Sequence, residues 1–250
     1  MQEITSINNN FVKEAVKLQQ KKYRDKENKF LLEGFKCIEE ACNAGVELES
    51  VFVLKEKAAQ YDFLKDKIVL TTDAVLKKIS TTTSAPDAVA IGKKKLYTLD
   101  GLKNAQKVVL LENIKDMGNL GTILRTSAAF GVDGVILYGR ECADIYNPKC
   151  VRASVGNLWK IPVVYISDFD KLNKTFENYE RIATLPRAKE YLKNVKTNTP
   201  FLIMFGSEAD GLSDELINFA TKGVKIEMSS SVESLNLSVS CAIVLYKLCV

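Results

Sequence analysis

Short apolar runs alternate with stretches of helical pattern over residues 107–250, and this alternation constrains the fold more than any other feature of the chain. The apolar runs cover 107–111, 134–138, 161–166, 181–185, 201–205 and 223–228, and the helical stretches cover about 120–130, 146–155, 168–177, 188–194, 213–220 and 234–248. Strands that alternate with helices build a parallel sheet covered on both faces. Ligands of such sheets bind at the carboxyl ends of the strands, so we expect functional residues in the loops after these runs.

The N-terminal part of the chain carries a separate, smaller α/β pattern. Residues 9–44 are predicted to be helical, with a polar interruption at 25–28. Apolar runs follow at 51–54, 68–70 and 88–91, with a helical stretch at 73–79. A charge run then breaks the periodicity, and we place a linker near 92–104. The sequence thus predicts two α/β domains, over residues 1–95 and 104–250.

Composition is that of a globular protein, because 46% of the residues are hydrophobic and 26% are charged, which excludes a mainly disordered chain. No apolar run approaches the roughly 20 residues that a membrane-spanning helix needs. The N-terminus also lacks the basic-then-apolar pattern of a secretory signal. We therefore expect a cytoplasmic protein without a membrane partner.

The chain contains six cysteines and no histidine. The cysteines form no CxxC pair, so neither a disulfide framework nor a common zinc site is predicted, and we expect no metal. The absence of histidine excludes Ser-His-Asp and Cys-His catalysis. Any chemistry must therefore use other side chains.

The net charge is +4, and segment 13–36 alone holds eight Lys or Arg against four Asp or Glu. Clustered Lys and Arg favour a polyanion partner, because neutralised phosphates release counterions. The alternative is a basic helix face that is simply solvated. The candidate nucleic-acid contacts in this segment are Lys21, Lys22, Arg24 and Lys29.

The loop after run 107–111 contains the sequence DMGNLG and leads into a predicted helix that carries Arg125. Two glycines at a strand-to-helix turn allow close backbone approach and left-handed geometry. The loop matches neither the dinucleotide fingerprint nor the phosphate-binding P-loop. Arg125 stands among small and apolar residues, so burial of its charge would require a carboxylate or phosphate partner. A structural ion pair is the alternative.

Two further loops carry polar residues. The sequence FGSEADGLS follows run 201–205, and its glycines predict a tight turn with Ser213 as the N-cap of the next helix. Segment 233–238, ESLNLS, precedes a dense apolar pattern that predicts a largely buried final helix. Ser and Asn suit the first turn of a helix, so an ordinary N-cap is the alternative to a functional role here.

Three segments, DMGNLGTILRTSAAFGVDGVIL, FGSEADGLS and IEMSSSVESLNLSVS, together resemble in this order the motifs of the SpoU (TrmH-like) family of RNA ribose methyltransferases. The resemblance covers about 107–250, and RASVG at 152–156 is also similar to a family element. The sequence FLLEGF at 30–35 is similar to the small ribosomal-protein-like RNA-binding domain that is often fused to these enzymes.

The resemblance implies a trefoil-knotted domain that binds S-adenosyl-L-methionine, acts as a homodimer and methylates a ribose 2′-hydroxyl of structured RNA. Ribosomal RNA is preferred as the substrate, with transfer RNA as the other candidate. The implied cofactor contacts are Thr184, Leu185, Gly206, Gly211, Ile226, Met228 and Leu235. The implied catalytic or substrate-binding residues are Asn119, Arg125, Glu208, Ser234 and Asn236, and Arg152 joins the candidate RNA contacts.

For the reaction, we expect Arg125 to hold a phosphate and to stabilise negative charge on the attacking oxygen, because a guanidinium is hardly deprotonated at neutral pH. Ser234, Asn236 and Asn119 are expected to orient the nucleotide. Glu208 either accepts a proton or anchors its own loop, and we prefer anchoring.

Two positions depart from the family pattern. Met117 and Gly118 replace a turn that usually contains proline, and Ala209 stands where glycine is common. If position 209 required positive φ, alanine would strain the loop by about 1–2 kcal/mol. The main competing hypothesis is therefore a non-catalytic RNA-binding protein that keeps the fold. A nucleotide-dependent enzyme of another chemistry is disfavoured, because the fingerprint loops are absent.

Overall fold

The computed structural model describes residues 2–197 and 200–250, and the chain divides into two compact units. The first unit contains the residues up to Lys95 together with Asp144–Trp159. The second contains Leu96–Ala143 and Lys160–Val250. None of the helices within the described ranges combines the length and apolarity that a membrane span requires.

A five-stranded mixed sheet forms the centre of the first unit. Its elements are β1 (Gln2–Ile4), α1 (Asn10–Lys17), α2 (Lys21–Glu27), β2 (Lys29–Glu33), α3 (Phe35–Asn43), β3 (Leu48–Leu54), β4 (Ile68–Thr71), α4 (Asp73–Ile79) and β5 (Ala88–Lys93). The strand order is β1-β4-β3-β5-β2, with β5 antiparallel to both of its neighbours. The predicted helix at 73–79 and the three predicted strands are confirmed.

The helical prediction for 9–44 is confirmed for α1, α2 and α3 but wrong between α2 and α3, where Phe30, Leu31 and Leu32 lie in β2. Asn28 ends α2 in the left-handed conformation, with φ of 53°, and the chain continues as a strand. All three apolar side chains are fully buried. A short apolar run that is buried on both faces has no period by which a strand can be told from a helix.

The second unit is built on a seven-stranded, entirely parallel sheet. Its elements are β6 (Lys107–Glu112), α5 (Met117–Ala129), β7 (Gly134–Tyr138), β8 (Val163–Ile166), α7 (Phe169–Phe176), β9 (Glu180–Thr184), β10 (Glu190–Tyr191), β11 (Phe201–Phe205), α8 (Asp214–Phe219), β12 (Lys222–Lys225) and α9 (Leu237–Cys249), and the intervening α6 (Pro148–Ala153) belongs to the first unit. The strand order is β10-β12-β9-β11-β6-β7-β8. The predicted parallel sheet is confirmed.

The core of the second unit explains why its central strands are uniformly apolar. Every residue of β7 and β11 is buried, as expected for strands with helices on both faces. The predicted helix at 188–194 is wrong: this stretch forms the two-residue strand β10 and a short 3₁₀ turn over Leu192–Asn194. It pairs with β12 at the edge of the sheet, a contact that local pattern does not encode.

Segment Asp144–Trp159 lies between two strands of the second sheet in sequence but packs within the first unit. The ring of Phe30 lies 4.7 Å from that of Tyr146 and 5.2 Å from that of Trp159, measured between centroids. Arg24 also forms a buried ion pair with Asp144. Sequence order therefore does not separate the compact units, and the functional division at 95 and 104 stays a prediction.

Candidate active site

Four neighbouring strands of the second unit, in the order β12-β9-β11-β6, end at one edge of the parallel sheet. The residues implied in the cofactor contacts and in catalysis lie in the loops that follow these strands, except Thr184, which ends β9, and the two residues on α5. Parallel strands present their carboxyl ends together, so these loops gather in one place.

Asn119 joins three of the predicted residues in one hydrogen-bond network. Its side-chain amide nitrogen donates to Oε1 of Glu208 at 2.6 Å, and its Oδ1 accepts from Nδ2 of Asn236 at 3.1 Å. We call these three residues the Asn119 network. They lie far apart in sequence and come from the first turn of α5, the loop after β11 and the N-cap of α9, which is the arrangement expected of a binding site rather than of a local cap.

The start of α5 places Asn119. The side chain of Asp116 caps this helix and accepts a hydrogen bond from the Asn119 backbone N–H at 2.7 Å. Gly118 and Gly121 lie inside the helix, so the turn predicted around them is wrong. The left-handed residue of this loop is instead Asn113, with φ of 48°.

Arg125 lies on α5 and is exposed to solvent. It makes no hydrogen bond or ion pair with any residue in the described ranges, so the alternative of a structural ion pair is wrong. The neighbouring Thr122 and Thr126 donate their hydroxyl hydrogens to carbonyl groups of the same helix. The guanidinium therefore stands outside the Asn119 network, with all its donors available.

The loop at 206–213 closes tightly on itself. The backbones of Ser207 and Gly211 exchange two hydrogen bonds of 3.1 Å, and a Cβ atom on Gly206 would lie 1.9 Å from the Gly211 carbonyl carbon. Gly211 has φ of 71°, whereas Ala209 is not among the described residues with positive φ. The strain considered for alanine at position 209 is therefore absent, because the left-handed position falls on a glycine.

Two polar contacts fix the far end of this loop. The buried carboxylate of Glu112 accepts a hydrogen bond from the Ser213 backbone N–H at 2.8 Å. Ser213 in turn caps α8, accepting from the Leu216 N–H at 3.4 Å, so the predicted N-cap is confirmed. Sequence reasoning did not single out Glu112. Its only signal is a carboxylate at the end of an otherwise apolar strand.

The implied cofactor residues lie at the ends of β9, β11 and β12. The Thr184 hydroxyl donates to the Met204 carbonyl at 2.9 Å, and the Leu185 N–H donates to the Val224 carbonyl at 2.9 Å. These bonds tie the three strand ends together. The apolar residues in the loops after these strands are half-buried: Leu185, Ile226, Met228 and Leu235. Apolar side chains beside free loop backbone suit a flat heterocycle, so these residues fit the adenosine part of the expected cofactor.

The final helix begins at Leu237, with Asn236 as its N-cap, rather than at 234 as predicted. Oδ1 of Asn236 accepts from the backbone N–H groups of Ser238 at 2.9 Å and Val239 at 3.4 Å. Its amide nitrogen remains for Asn119. Ser234 is exposed and makes no hydrogen bond within the described part of the chain. The side chain of Asn236 therefore caps the helix and also joins the Asn119 network, and its functional role stays a prediction.

The environment of Arg24 contradicts the prediction that this residue contacts RNA. Its side chain is 1% exposed, and Nε and Nη2 both donate to the carboxylate of Asp144, at 2.9 and 2.7 Å. Nη1 donates to the backbone carbonyls of Leu18 and Gln19. A buried charge is stable only when its donors are hydrogen-bonded in this way. The guanidinium therefore has no accessible N–H group for a phosphate.

The other candidate RNA contacts keep surface positions. Lys21 and Lys22 begin α2 and are exposed, and Lys29 is half-buried in an ion pair with Glu49. Arg152 is one-third exposed. Its Nη1 donates to Glu33 at 3.2 Å and to the Thr81 hydroxyl at 2.6 Å, whereas Nε and Nη2 make no hydrogen bond with described residues. These four assignments stay predictions.

Neither thiol nor metal chemistry is indicated by the side chains. None of the six cysteines is part of a disulfide among the described residues, and burial raises the pKa of the Cys37 thiol to about 12. Burial likewise raises the pKa of Cys241 far above its usual range. A thiol with so high a pKa is not a nucleophile at neutral pH. In residues 2–197 and 200–250, no cluster of His, Cys, Asp or Glu is arranged to hold a metal ion.

Comparison with known families agrees with this geometry. Residues 106–246 match the SpoU rRNA Methylase family, and residues 9–90 match the MRM3-like substrate binding domain. The chain is 31% identical to an uncharacterized tRNA/rRNA methyltransferase of Synechocystis sp., over 98% of this chain and 92% of that protein. It is 32% identical to 23S rRNA (guanosine(2553)-2'-O)-methyltransferase RlmP of Bacillus subtilis, over 99% of both chains.

A solved structure gives the same result for the fold. The AdoMet-bound rRNA methyltransferase of Sinorhizobium meliloti has a TM-score of 0.89 to this chain at 26% identity, covering 98% of this chain and 96% of the other. The resemblance of the three loop motifs is thereby confirmed by full-length similarity. The chain belongs to the SpoU rRNA methylase family.

Proposed function

We propose that this protein transfers a methyl group from S-adenosyl-L-methionine to a ribose 2′-hydroxyl of ribosomal RNA in the cytoplasm. The observation that carries the proposal is the Asn119 network, which brings together three polar side chains from α5, the loop after β11 and the N-cap of α9. The Bacillus relative is named as a 23S rRNA 2'-O-methyltransferase, which favours ribosomal over transfer RNA.

The residues at the strand ends provide the cofactor site. S-adenosyl-L-methionine, when bound, supplies a methyl group that its sulfonium already makes electrophilic. Leu185, Ile226, Met228 and Leu235 would hold the adenine by apolar contact, and the turn between Gly206 and Gly211 would offer it backbone hydrogen-bond groups. Thr184 holds the ends of β9 and β11 together beneath this site.

Arg125 binds the phosphate next to the target ribose and stabilises the negative charge that develops on the 2′-oxygen. Its exposure and its free donors support this role. Asn119, Asn236 and Ser234 orient the nucleotide. Glu208 anchors its loop, since its carboxylate accepts the short hydrogen bond from Asn119. These residues would hold the hydroxyl beside the bound cofactor, and such positioning would contribute several kcal/mol to the rate enhancement.

The first unit recruits the RNA. It holds 19 Lys and Arg against 15 Asp and Glu, whereas the second unit holds 16 of each, so the chain's whole excess of positive charge lies in the first unit. Excess positive charge strengthens binding to a polyanion. Within this unit, Lys21, Lys22, Lys29 and Arg152 are the proposed contacts, and Arg24 is not among them.

The active form is a homodimer, and the C-terminal segment follows the trefoil-knotted path that the family implies. An apolar stripe on α9 supports dimerisation: Val239, Ile243 and Tyr246 recur along one helix face and are 46%, 39% and 63% exposed. An exposed stripe of this kind marks a protein interface. Tyr246→Glu is expected to convert the dimer to a monomer in analytical ultracentrifugation, whereas a dimer that persists contradicts this interface.

The function is tested by two measurements on the intact protein. Calorimetry with S-adenosyl-L-methionine is expected to show one site per chain. Mapping of ribose methylation on ribosomal RNA, from cells with and without the protein, is expected to show one nucleotide whose methylation depends on it. RNA binding without cofactor binding would instead support the non-catalytic alternative.

A further inference from the structure

A basic strip lies on the second unit, defined by five cations: Arg187, Lys189, Lys193, Lys196 and Lys225. The unit as a whole has equal numbers of cations and anions. Four of the five cations fall within ten consecutive residues that contain a single acid, Glu190. Positive charge is therefore concentrated here, on a unit whose remaining surface is slightly acidic.

The basic strip adjoins the proposed cofactor site. It begins two residues after Leu185, which follows the end of β9. Its strand β10 pairs with β12, and the register places Tyr191 opposite Lys225. Lys225 is the last residue of β12 and immediately precedes Ile226. The strip therefore flanks the edge of the sheet at which the Asn119 network and the cofactor residues lie.

Three of these five cations have no polar partner among the residues that the structure describes. Arg187, Lys189 and Lys196 are exposed and make no hydrogen bond or ion pair with any described residue. Lys193 forms an exposed ion pair with Glu227 at 2.6 Å, an interaction worth little in water. Lysine at a sheet edge can also serve only to discourage pairing with another chain. That role requires neither proximity to the active site nor a fixed geometry.

Tyr191 holds two of the lysines in place. The Nζ atom of Lys225 lies 4.5 Å from the centroid of its ring, and that of Lys193 lies 5.4 Å from it. Cation–π contacts restrict flexible lysine side chains. A cation that is already ordered loses less conformational entropy when it binds a phosphate.

We propose that the basic strip binds the RNA backbone beside the target nucleotide, with Tyr191 ordering Lys193 and Lys225 for phosphate contact. This inference rests on the proposed function and adds a second RNA surface, on the catalytic unit itself. The first unit would recruit the RNA through bulk charge, and the strip would hold the strand next to the reacting ribose.

The test compares two triple variants that remove the same charge from the same unit. Arg187→Ala/Lys189→Ala/Lys196→Ala removes the unpaired cations of the strip. The control, Lys103→Ala/Lys171→Ala/Lys174→Ala, removes three exposed lysines elsewhere. Binding of unmethylated 23S rRNA transcribed in vitro is measured from 50 to 200 mM salt. We expect the association constant of the strip variant to depend less steeply on salt, with the magnitude of the slope of log K against log salt reduced by about 2–3. The control should leave this slope unchanged.

The outcomes separate this inference from the proposed function. Calorimetry is expected to give the same cofactor affinity for wild type and strip variant, and methyl transfer by wild type establishes the function independently. Equal slopes in both triple variants, or loss of cofactor binding in the strip variant, would overturn the inference. Tyr191→Phe should retain RNA affinity within about twofold, whereas Tyr191→Ala should weaken it about threefold to fivefold. Equal affinities for these two variants would overturn the role of Tyr191.

Discussion

Two arginines, one in each unit, occupy opposite environments. Arg24 is 1% exposed, and all three of its guanidinium nitrogens donate to protein acceptors. Arg125 is exposed and makes no hydrogen bond or ion pair with described residues. A saturated, buried guanidinium belongs to the architecture, whereas one with free donors is available for a ligand. The two arginines differ in whether their N–H donors already have acceptors in the protein. Neither the residue type nor the neighbouring sequence shows this difference.

The largest effect is expected from Arg24→Ala, on stability. Removal of the guanidinium leaves the Asp144 carboxylate buried without its cation, which should lower the free energy of unfolding by about 3–5 kcal/mol. Chemical denaturation measures this loss. The matched control is Arg24→Met/Asp144→Asn, which removes both charges and should be less destabilised than the single variant. A single variant as stable as wild type would contradict the structural role of Arg24.

Arg125→Ala should show the converse behaviour. Loss of the phosphate contact and of charge stabilisation should slow methyl transfer by about 100- to 1,000-fold. The free energy of unfolding should change by less than about 0.5 kcal/mol, because the side chain is exposed. Arg125→Lys keeps the charge without the planar guanidinium, so its rate of methyl transfer should lie between those of wild type and Arg125→Ala. If the alanine variant turned over at the wild-type rate, Arg125 would have no part in the mechanism. Free donors would then not distinguish its role from that of Arg24.

Asn236 lies between these extremes, since it is both a helix cap and a member of the Asn119 network. Asn236→Ser keeps a good N-cap but loses the amide donor to Asn119, whereas Asn236→Ala loses both. Methyl transfer should fall in both variants, by about tenfold for one lost hydrogen bond. Only alanine should destabilise the fold, by about 1 kcal/mol. A serine variant with full activity would show that capping alone explains this residue.

The smallest effect is expected from Glu208→Gln. A glutamine oxygen can still accept the hydrogen bond from Asn119, so an anchoring role predicts that turnover falls by less than about tenfold. Glu208→Ala, which removes the acceptor, should be slower than the glutamine variant. Initial rates of methyl transfer measure both. A glutamine variant as slow as alanine would identify the carboxylate as a proton acceptor.

The sequence predicts those parts of the fold that depend on local pattern. Helix α4 and strand β11 have the predicted bounds, because an apolar run closed by polar residues is itself a local signal. The sequence pattern predicts helix both where β2 lies and where β10 lies. Both are short edge strands, and their structure is decided by pairing with β5 and β12 rather than by their own periodicity.

The sequence predicts which segments carry the candidate site residues, but not which of these residues contact one another. Motif order placed Asn119, Glu208 and Asn236 among the functional residues, yet their bonds span 89 and 117 residues, which no spacing rule encodes. Arg24 stands in the charged run KKYRDKENK, which is typical of a solvated surface. Its partner Asp144 lies 120 residues away, so its burial could not be read from that run.

The double role of Asn236 has a consequence for folding kinetics. One side chain both starts the final helix and bonds to a residue 117 positions earlier. Closing so long a segment costs conformational entropy, and proteins rich in such contacts fold slowly. The pairing of β11 with β6, which sets Phe201 opposite Lys107, joins residues of comparable separation, so the bond from Asn236 to Asn119 adds to a topological cost that the sheet already carries. The Asn119 network is complete only when the first turns of α5 and α9 are both in place.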